Sequence, residues 1–348
     1  MPFALLIIRL APLALVLLAS CSAPLKRYEF TRICMGVPAR IVLYTSTESR
    51  ARDAASAAYA RIARIEQALS DYRPDSENGR LCSHPVGVPV PISQDLAVAI
   101  ETARRVHEAS GGEFDITIGP ATRLWREARR TGNAPHPSRH AEALSKIGFR
   151  RLHFDSTNRT VTLELEGMSL DFGGIGKGLA AQSAVDRLRE LGCSRCLVSL
   201  AGDIALGAAP PDSPGWRVRI DPDSNAQARS PLLLSDAAVS TSGDAEQVLV
   251  LDDRRESHII DPATARGRPD RRSVTVIAPR GELADALSSA AWLLGASRAE
   301  SLISGFEGSA AIFAEETDSP DNRTIIDPHG ILSRLRQASD RAEPRVRP

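Results

Sequence analysis

Apolar residues repeat at two different periods along this chain, and the two periods do not take turns. From about Arg50 to Leu69 the residues Ala54, Ala58, Ile62, Ile65 and Leu69 recur at helical spacing, which predicts one helix with a single buried stripe, stopped by Pro74. A second helix is predicted over Gln94–Ala109, with Leu96, Ile100 and Val106 inward and Ser110-Gly111-Gly112 as its end. Strand-like stretches lie at Ala39–Tyr44, Arg151–Phe154 and Val161–Leu165, the last two forming a hairpin around Ser156-Thr157-Asn158. The second half reads as short strands near 196–200, 216–220, 247–251 and 273–278, interrupted by a helix from Leu283 to Leu294. Arg129–Arg139 reads as a Gly/Pro/Asn loop. Strands and helices mixed in this way, without regular βαβ alternation, predict an α+β fold and not a doubly wound sheet.

The N-terminus sets the expected compartment. Met1–Ala19 is apolar apart from Pro2, Arg9 and Pro12, and it closes in Leu18-Ala19-Ser20-Cys21. An apolar core followed by small residues is the pattern of a secretory signal, whereas a spanning helix needs about 20 clean apolar residues. Leu-Ala-Ser-Cys resembles a bacterial lipobox. Residues 1–20 are therefore expected to be a lipoprotein signal peptide, Cys21 the lipidated residue and 21–33 a tether; one domain over 34–335 and a disordered tail at 336–348 follow. The mature chain is expected outside the cytoplasm, lipid-anchored to a bacterial membrane and facing the periplasm. Cys34, Cys82, Cys193 and Cys196 then remain, and four thiols permit three pairings. Cys193 and Cys196 form a C-x-x-C, but it follows the helix stop Leu191-Gly192 and runs into a strand, which favours a structural role over a redox switch. Lys and Arg total 43, as do Asp and Glu, without blocks of like charge, so a nucleic-acid partner is not expected.

Three segments carry candidate chemistry. Gly173, Gly174, Gly176 and Gly178 surround Lys177 ahead of a helix running to about Glu190; such a turn can direct backbone N–H groups at an anion, or simply turn the chain. Asp285 and Ser289 stand at i and i+4 of a helix, placing two hard oxygen ligands suited to Mg²⁺ on one face; an Asp there can also serve only the helix dipole. His258 and Asp261, before Pro262, could be an acid/base pair, or a turn-forming Asp beside a surface His. No nucleophile elbow accompanies them, which disfavours covalent hydrolase chemistry.

Taken in order, Met35-Gly36, Leu69–Glu77, Gly112–Pro120 with Leu124-Trp125, Asp171–Gly178, Gly202-Asp203-Ile204, Thr241-Ser242-Gly243, His258–Pro262 and Asp285–Ser289 resemble the FAD:protein FMN transferase (ApbE-like) family over about residues 30–315. The resemblance implies a two-lobed α+β domain with the FAD site between the lobes. It implies that Met35, Tyr72, the strand Phe114-Asp115-Ile116, Asp171, Lys177 and the Ile259-Ile260 backbone line that site, with Tyr72 stacking on a ring. The Gly174 carbonyl, Asp285 and Ser289 would hold Mg²⁺. A Thr or Ser hydroxyl of a client protein would attack the FMN phosphorus of FAD and release AMP, with His258 or Asp261 as the base. This chain departs from the family in having Cys82 for Asn, Ser289 for Thr, Ala201 for Gly, and a longer loop, Ala263–Gly267, after Asp261-Pro262. An FAD pyrophosphatase, or a non-enzymatic FAD-binding lipoprotein, would use the same binding residues.

Overall fold

The computed structural model describes residues 24–220, 231–243, 248–251, 254–315 and 323–335; the expected signal peptide, Cys21 and the tail at 336–348 lie outside them. An eight-stranded sheet runs through the molecule, its strands in the same order in space as in sequence. They are β1 (Lys26–Cys34), β2 (Val37–Thr45), β3 (Cys196–Leu200), β4 (Asp203–Leu206), β5 (Ala238–Gly243), β6 (Arg272–Ala278), β7 (Ala310–Glu315) and β8 (Arg323–Ile326). Every neighbouring pair is antiparallel. The α+β expectation holds.

Five helices position the site: α1 (Glu48–Leu69), α2 (Gln94–Ala109), α3 (Gly119–Thr131), α4 (Gly176–Glu190) and α5 (Gly281–Leu294). All five residues of the stripe predicted for α1 are buried, and Thr47 caps its start by accepting the Arg50 N–H. On one face of the sheet α1 packs on α4, α4 on α5, and α5 on β5 and β6. Their side chains share a single core with Ile41, Val198, Val274 and Phe313 of the sheet. The opposite sheet face is covered by the strands Trp216–Val218 and Leu232–Leu234 together with Leu332. A third cluster joins Ala121, Trp125 and Ala128 of α3 to Leu249, Ile260 and Ala265, which docks the segment after β5 onto α3.

The structure shortens the expected tether. Lys26–Cys34 is paired along its whole length with β2, from Lys26 with Thr45 to Cys34 with Val37. Tyr28 and Phe30 lean on the core at period two, but Lys26 and Arg32 hold the neighbouring positions on that side and Ile33 is exposed, so the alternation is too short to read in the sequence. The loop expected at Arg129–Arg139 is also shorter. Helix α3 continues to Thr131 and stops at Gly132, whose φ of 72° suits glycine, and another helix starts at Pro137. The predicted hairpin forms as Leu152–Asp155 against Thr160–Leu163. The strand expected at 216–220 ends at Val218; Val248–Leu251 is a strand as expected, with residue 247 outside the described residues. Among the described residues no helix is long and apolar enough to cross a membrane.

Candidate functional site

The first turns of α4 and α5 meet at two glycines. A Cβ on Gly178 would lie 2.1 Å from the Gly281 carbonyl oxygen and 2.7 Å from Asp285 Cβ, so only glycine allows this approach. Helix α4 has no side-chain cap of its own; Asp285, from α5, accepts the Gly178 N–H at 3.0 Å. The anion at the glycine turn is thus the protein's own carboxylate, placed at the positive end of the α4 dipole. Burial, and then the nearby Asp203, push the Asp285 carboxyl up to about 7, against the opposing pull of Lys177 and of the backbone N–H groups. Lys177 Nζ lies 3.1 Å from Asp203 Oδ2 and 3.4 Å from the Gly173 carbonyl oxygen. Asp285 and then Asp203 hold its ammonium above the usual lysine range. Two carboxylates share one ammonium here, so the ionised cluster carries excess negative charge that a cation would relieve.

One turn further along α5, Ser289 faces Gly174. A Cβ on Gly174 would stand 2.9 Å from Ser289 Oγ and 3.1 Å from Phe114 Cε2, so glycine keeps a small cradle open. Ser289 Oγ is 3.1 Å from Ser242 Oγ, which is 2.7 Å from Ser288 Oγ. Ser288 in turn lies 3.2 Å from Ser240 Oγ, and Ser240 donates to Asp203. A chain of hydroxyls therefore links Ser289 to the Lys177–Asp203 pair. Among the described residues there is no group of three or more His, Cys, Asp or Glu arranged to hold a metal. The donors present are all oxygens around one excess charge, a set that fits Mg²⁺ completed by substrate phosphate and water.

The other site residues lie around this junction. Met35 and Gly36 form the two-residue turn between β1 and β2 with φ of 52° and 74°, and the Met35 N–H reaches Glu66 Oε2 at 3.3 Å. The end of the Met35 side chain lies over Gly176: a Cβ there would be 3.5 Å from Met35 Cε. Asp171 accepts the Gly173 N–H at 2.7 Å, bracing the glycine turn. Tyr72 is 73% exposed beside it. The segment Phe114-Asp115-Ile116 is not a strand. Asp115 instead caps a short 3₁₀ turn over Ile116–Ile118, accepting from the Thr117 N–H and hydroxyl, both at 2.7 Å, and from Phe149 N–H at 3.1 Å. Its carboxylate is committed to the fold, while Phe114 reaches Gly174 with its ring.

His258 and Asp261 sit on the segment docked to α3. The His258 ring is tilted against Trp125 with centroids 6.5 Å apart. Asp261 Oδ1 accepts the Ala263 N–H at 2.8 Å, which shapes the turn, and Oδ2 faces Arg268 Nε at 3.7 Å, a loose ion pair beyond hydrogen-bond distance. Ile259 leans on the main core and Ile260 on the α3 cluster. The four described cysteines, Cys34, Cys82, Cys193 and Cys196, are free. Buried Cys196 and Cys193 serve packing, and Cys82 Sγ accepts the Leu170 N–H at 3.4 Å. Asn78, one turn before Cys82, donates to the Leu69 and Leu170 carbonyls at 3.2 and 3.0 Å. It clamps the start of the Tyr72 loop to the segment leading into Asp171.

Sequence reading gave no role to Asp203, Ser240, Ser242, Ser288, Asp71 or Arg126. Asp203 and Ser242 lie within the family-like segments of the sequence, yet only the sheet brings them to Lys177 and Ser289. The ApbE family model matches residues 35–313, which include every residue of this junction. The chain is 32% identical over 332 residues to the FAD:protein FMN transferase of Treponema pallidum, covering 90% of each protein. It is 30% identical over 247 residues to the FAD:protein FMN transferase of Escherichia coli K12, covering 68% of this chain and 70% of that one. The apo structure of the Pseudomonas stutzeri flavinyl transferase ApbE superposes with a TM-score of 0.77 at 26% identity, covering 89% of this chain and 97% of that one. Fold and sequence agree over nearly the whole described chain, and the protein belongs to the ApbE family.

Proposed function

We propose that this protein is a FAD:protein FMN transferase, moving FMN from FAD to a Thr or Ser hydroxyl of a client protein with release of AMP. The observation that carries the reading is the convergence of Lys177, Asp285 and Ser289 on the glycine turn, in a chain whose relatives carry that name. Mg²⁺ would be held by the Gly174 carbonyl, the Asp285 carboxylate and the Ser289 hydroxyl, and when bound it supplies charge neutralisation at the pyrophosphate. Lys177 adds a fixed positive charge beside it, and the exposed ring of Tyr72 offers a stacking face for FAD. The client hydroxyl oxygen bonds to the FMN phosphorus, the phosphoanhydride bond to AMP breaks, and AMP keeps the bridging oxygen. Positioning and electrostatics supply most of the rate in such a transfer. His258 is the favoured acceptor of the hydroxyl proton, because an imidazole is the common general base near neutral pH, whereas the Asp261 carboxylate shapes its own turn by accepting the Ala263 N–H.

Incubation with FAD, Mg²⁺ and a client carrying an acceptor Thr tests the reading. In-gel flavin fluorescence on the client is expected. Release of free FMN without labelling would make the protein a hydrolase, and intact bound FAD a storage protein. Export and lipidation at Cys21 complete the proposal, supported by Leu18-Ala19-Ser20-Cys21. Cys21→Ser should abolish incorporation of labelled fatty acid; equal labelling would rule lipidation there out.

A further inference from the structure

Arg126, which follows Trp125 on α3, is fixed on three sides. Its Nη1 donates to Asp71 Oδ2 at 2.6 Å, and its Nη2 lies 3.7 Å from Asp171 Oδ2. The guanidinium carbon stands 3.9 Å from the centroid of the Tyr72 ring. The two carboxylates are largely buried, with side-chain exposures of 13% and 9%, and without the arginine they would repel each other. Burial, and then Asp171, push the Asp71 carboxyl above its ordinary value in spite of the arginine. Asp171 is also the residue that braces the glycine turn through Gly173. One guanidinium therefore ties Tyr72 to the turn at which the phosphates are handled. It covers one face of a ring that is 73% exposed, leaving the rest of the ring to solvent.

We propose that Arg126 is a positioning residue for FAD: pinned by Asp71 and Asp171, it holds Tyr72 at a set distance from the glycine turn so that the open face of the ring stacks on a ring of the dinucleotide. A cation on one face of an aromatic ring adds rigidity, and it charges the platform opposite an anionic ligand. The inference rests on the FAD reading of the site and adds a residue to it. Arg126 acts through Tyr72, so its loss changes binding and leaves the chemical step alone.

The test measures FAD affinity and transfer kinetics for wild type, Arg126→Gln, Arg126→Lys, Tyr72→Ala and the Arg126→Gln/Tyr72→Ala pair. Arg126→Gln is expected to raise KM for FAD about three- to fivefold with kcat within about twofold, the scale of one cation–π contact at an exposed ring. Arg126→Lys keeps the charge without the planar group and should fall between the two; it also stands in if the Gln variant fails to fold. In the Tyr72→Ala background the Arg126→Gln change should add less than about twofold, since both remove one interaction. Unchanged or tighter FAD binding by a folded Arg126→Gln protein, or full additivity with Tyr72→Ala, overturns the proposal. A wild type that binds no FAD defeats the functional reading instead.

Discussion

The carboxylate of Asp285 accepts the backbone N–H of Gly178 at 3.0 Å across the junction of two helices, so one side chain is both the cap of α4 and the proposed metal ligand. The two roles separate under substitution. Asp285→Asn keeps an oxygen for Gly178 and removes the charge, so the fold should survive while Mg²⁺-dependent turnover falls by about a hundredfold or more. The pH dependence gives an independent check on metal-free protein. The folded carboxyl titrates at about 7 against an ordinary value of 3.8, so between these values the folded state keeps a proton that the unfolded state releases. Its contribution to stability is full at acid pH and is lost as pH rises toward about 7. Melting temperatures in chelator from about pH 4 to pH 8 should show this loss in wild type and a flatter profile in Asp285→Asn. Identical profiles for the two proteins would show that Asp285 does not titrate in this range.

Ala201 occupies a left-handed conformation with φ of 46°, followed by Gly202 at 96°, in the two-residue turn that joins Leu200 to Asp203. An L-residue with a Cβ pays about 1–2 kcal/mol there, and glycine gives back about half of the gain through its freer unfolded chain. Ala201→Gly should therefore stabilise the protein by roughly 0.5–1 kcal/mol in a denaturant titration, with transfer activity unchanged. The turn matters for the site because it delivers Asp203 to Lys177. A loss of stability would mean that the Ala201 methyl makes packing contacts that outweigh the backbone strain.

His258 and Asp261 make opposite predictions. His258→Gln should lower kcat by about 10²–10⁴ with little effect on melting, as expected for loss of a general base. Asp261→Asn should cost stability through its turn and its pairing with Arg268, while kcat falls less than about tenfold. A pH–rate profile separates them further: the acid limb expected of a wild type with a histidine base should vanish in His258→Gln. If it persists there and vanishes in Asp261→Asn, the assignment is reversed.

The helices were legible because their apolar spacing is regular, and Gln94–Ala109 appears with the bounds that its stripe and its Ser-Gly-Gly end imply. Strand β1 was not, because Arg32 follows Tyr28 and Phe30 on the same side and Ile33 is exposed, which cuts the alternation short. At the site, Asp285 and Ser289 could be paired from i and i+4 spacing on one helix. Their partners could not. Lys177 meets Asp203, and Arg126 meets Asp71 and Asp171, only through tertiary packing across intervals for which sequence has no period. The glycine turn presents the Gly178 N–H to the protein's own Asp285 carboxylate, a partner that the sequence could not show because its position depends on how α5 packs on α4.

Gly174→Ala tests whether the space beside Ser289 is functional. The added methyl would come within 2.9 Å of Ser289 Oγ, 3.1 Å of Phe114 Cε2 and 3.3 Å of Ser289 Cβ, so something must move. Ser289 cannot yield freely, because its hydroxyl lies 3.1 Å from Ser242 Oγ and its helix is packed on α4 and the sheet. Phe114 is buried against the same core. The overpacking should cost about 1–3 kcal/mol in stability, a loss that leaves the protein folded at room temperature. If the cradle has no further role, that is the whole effect, and turnover per folded molecule stays at the wild-type level. If Gly174 and Ser289 hold Mg²⁺, displacing the hydroxyl removes one of the metal's oxygens as well. The variant should then need about tenfold or more Mg²⁺ for half-maximal FMN transfer, with a smaller change in FAD binding measured without metal. Ser289→Thr, which keeps the hydroxyl, provides the control and should retain the wild-type Mg²⁺ requirement. A Gly174→Ala protein with reduced melting temperature and an unchanged Mg²⁺ titration would assign the glycine to packing and move the metal away from Ser289.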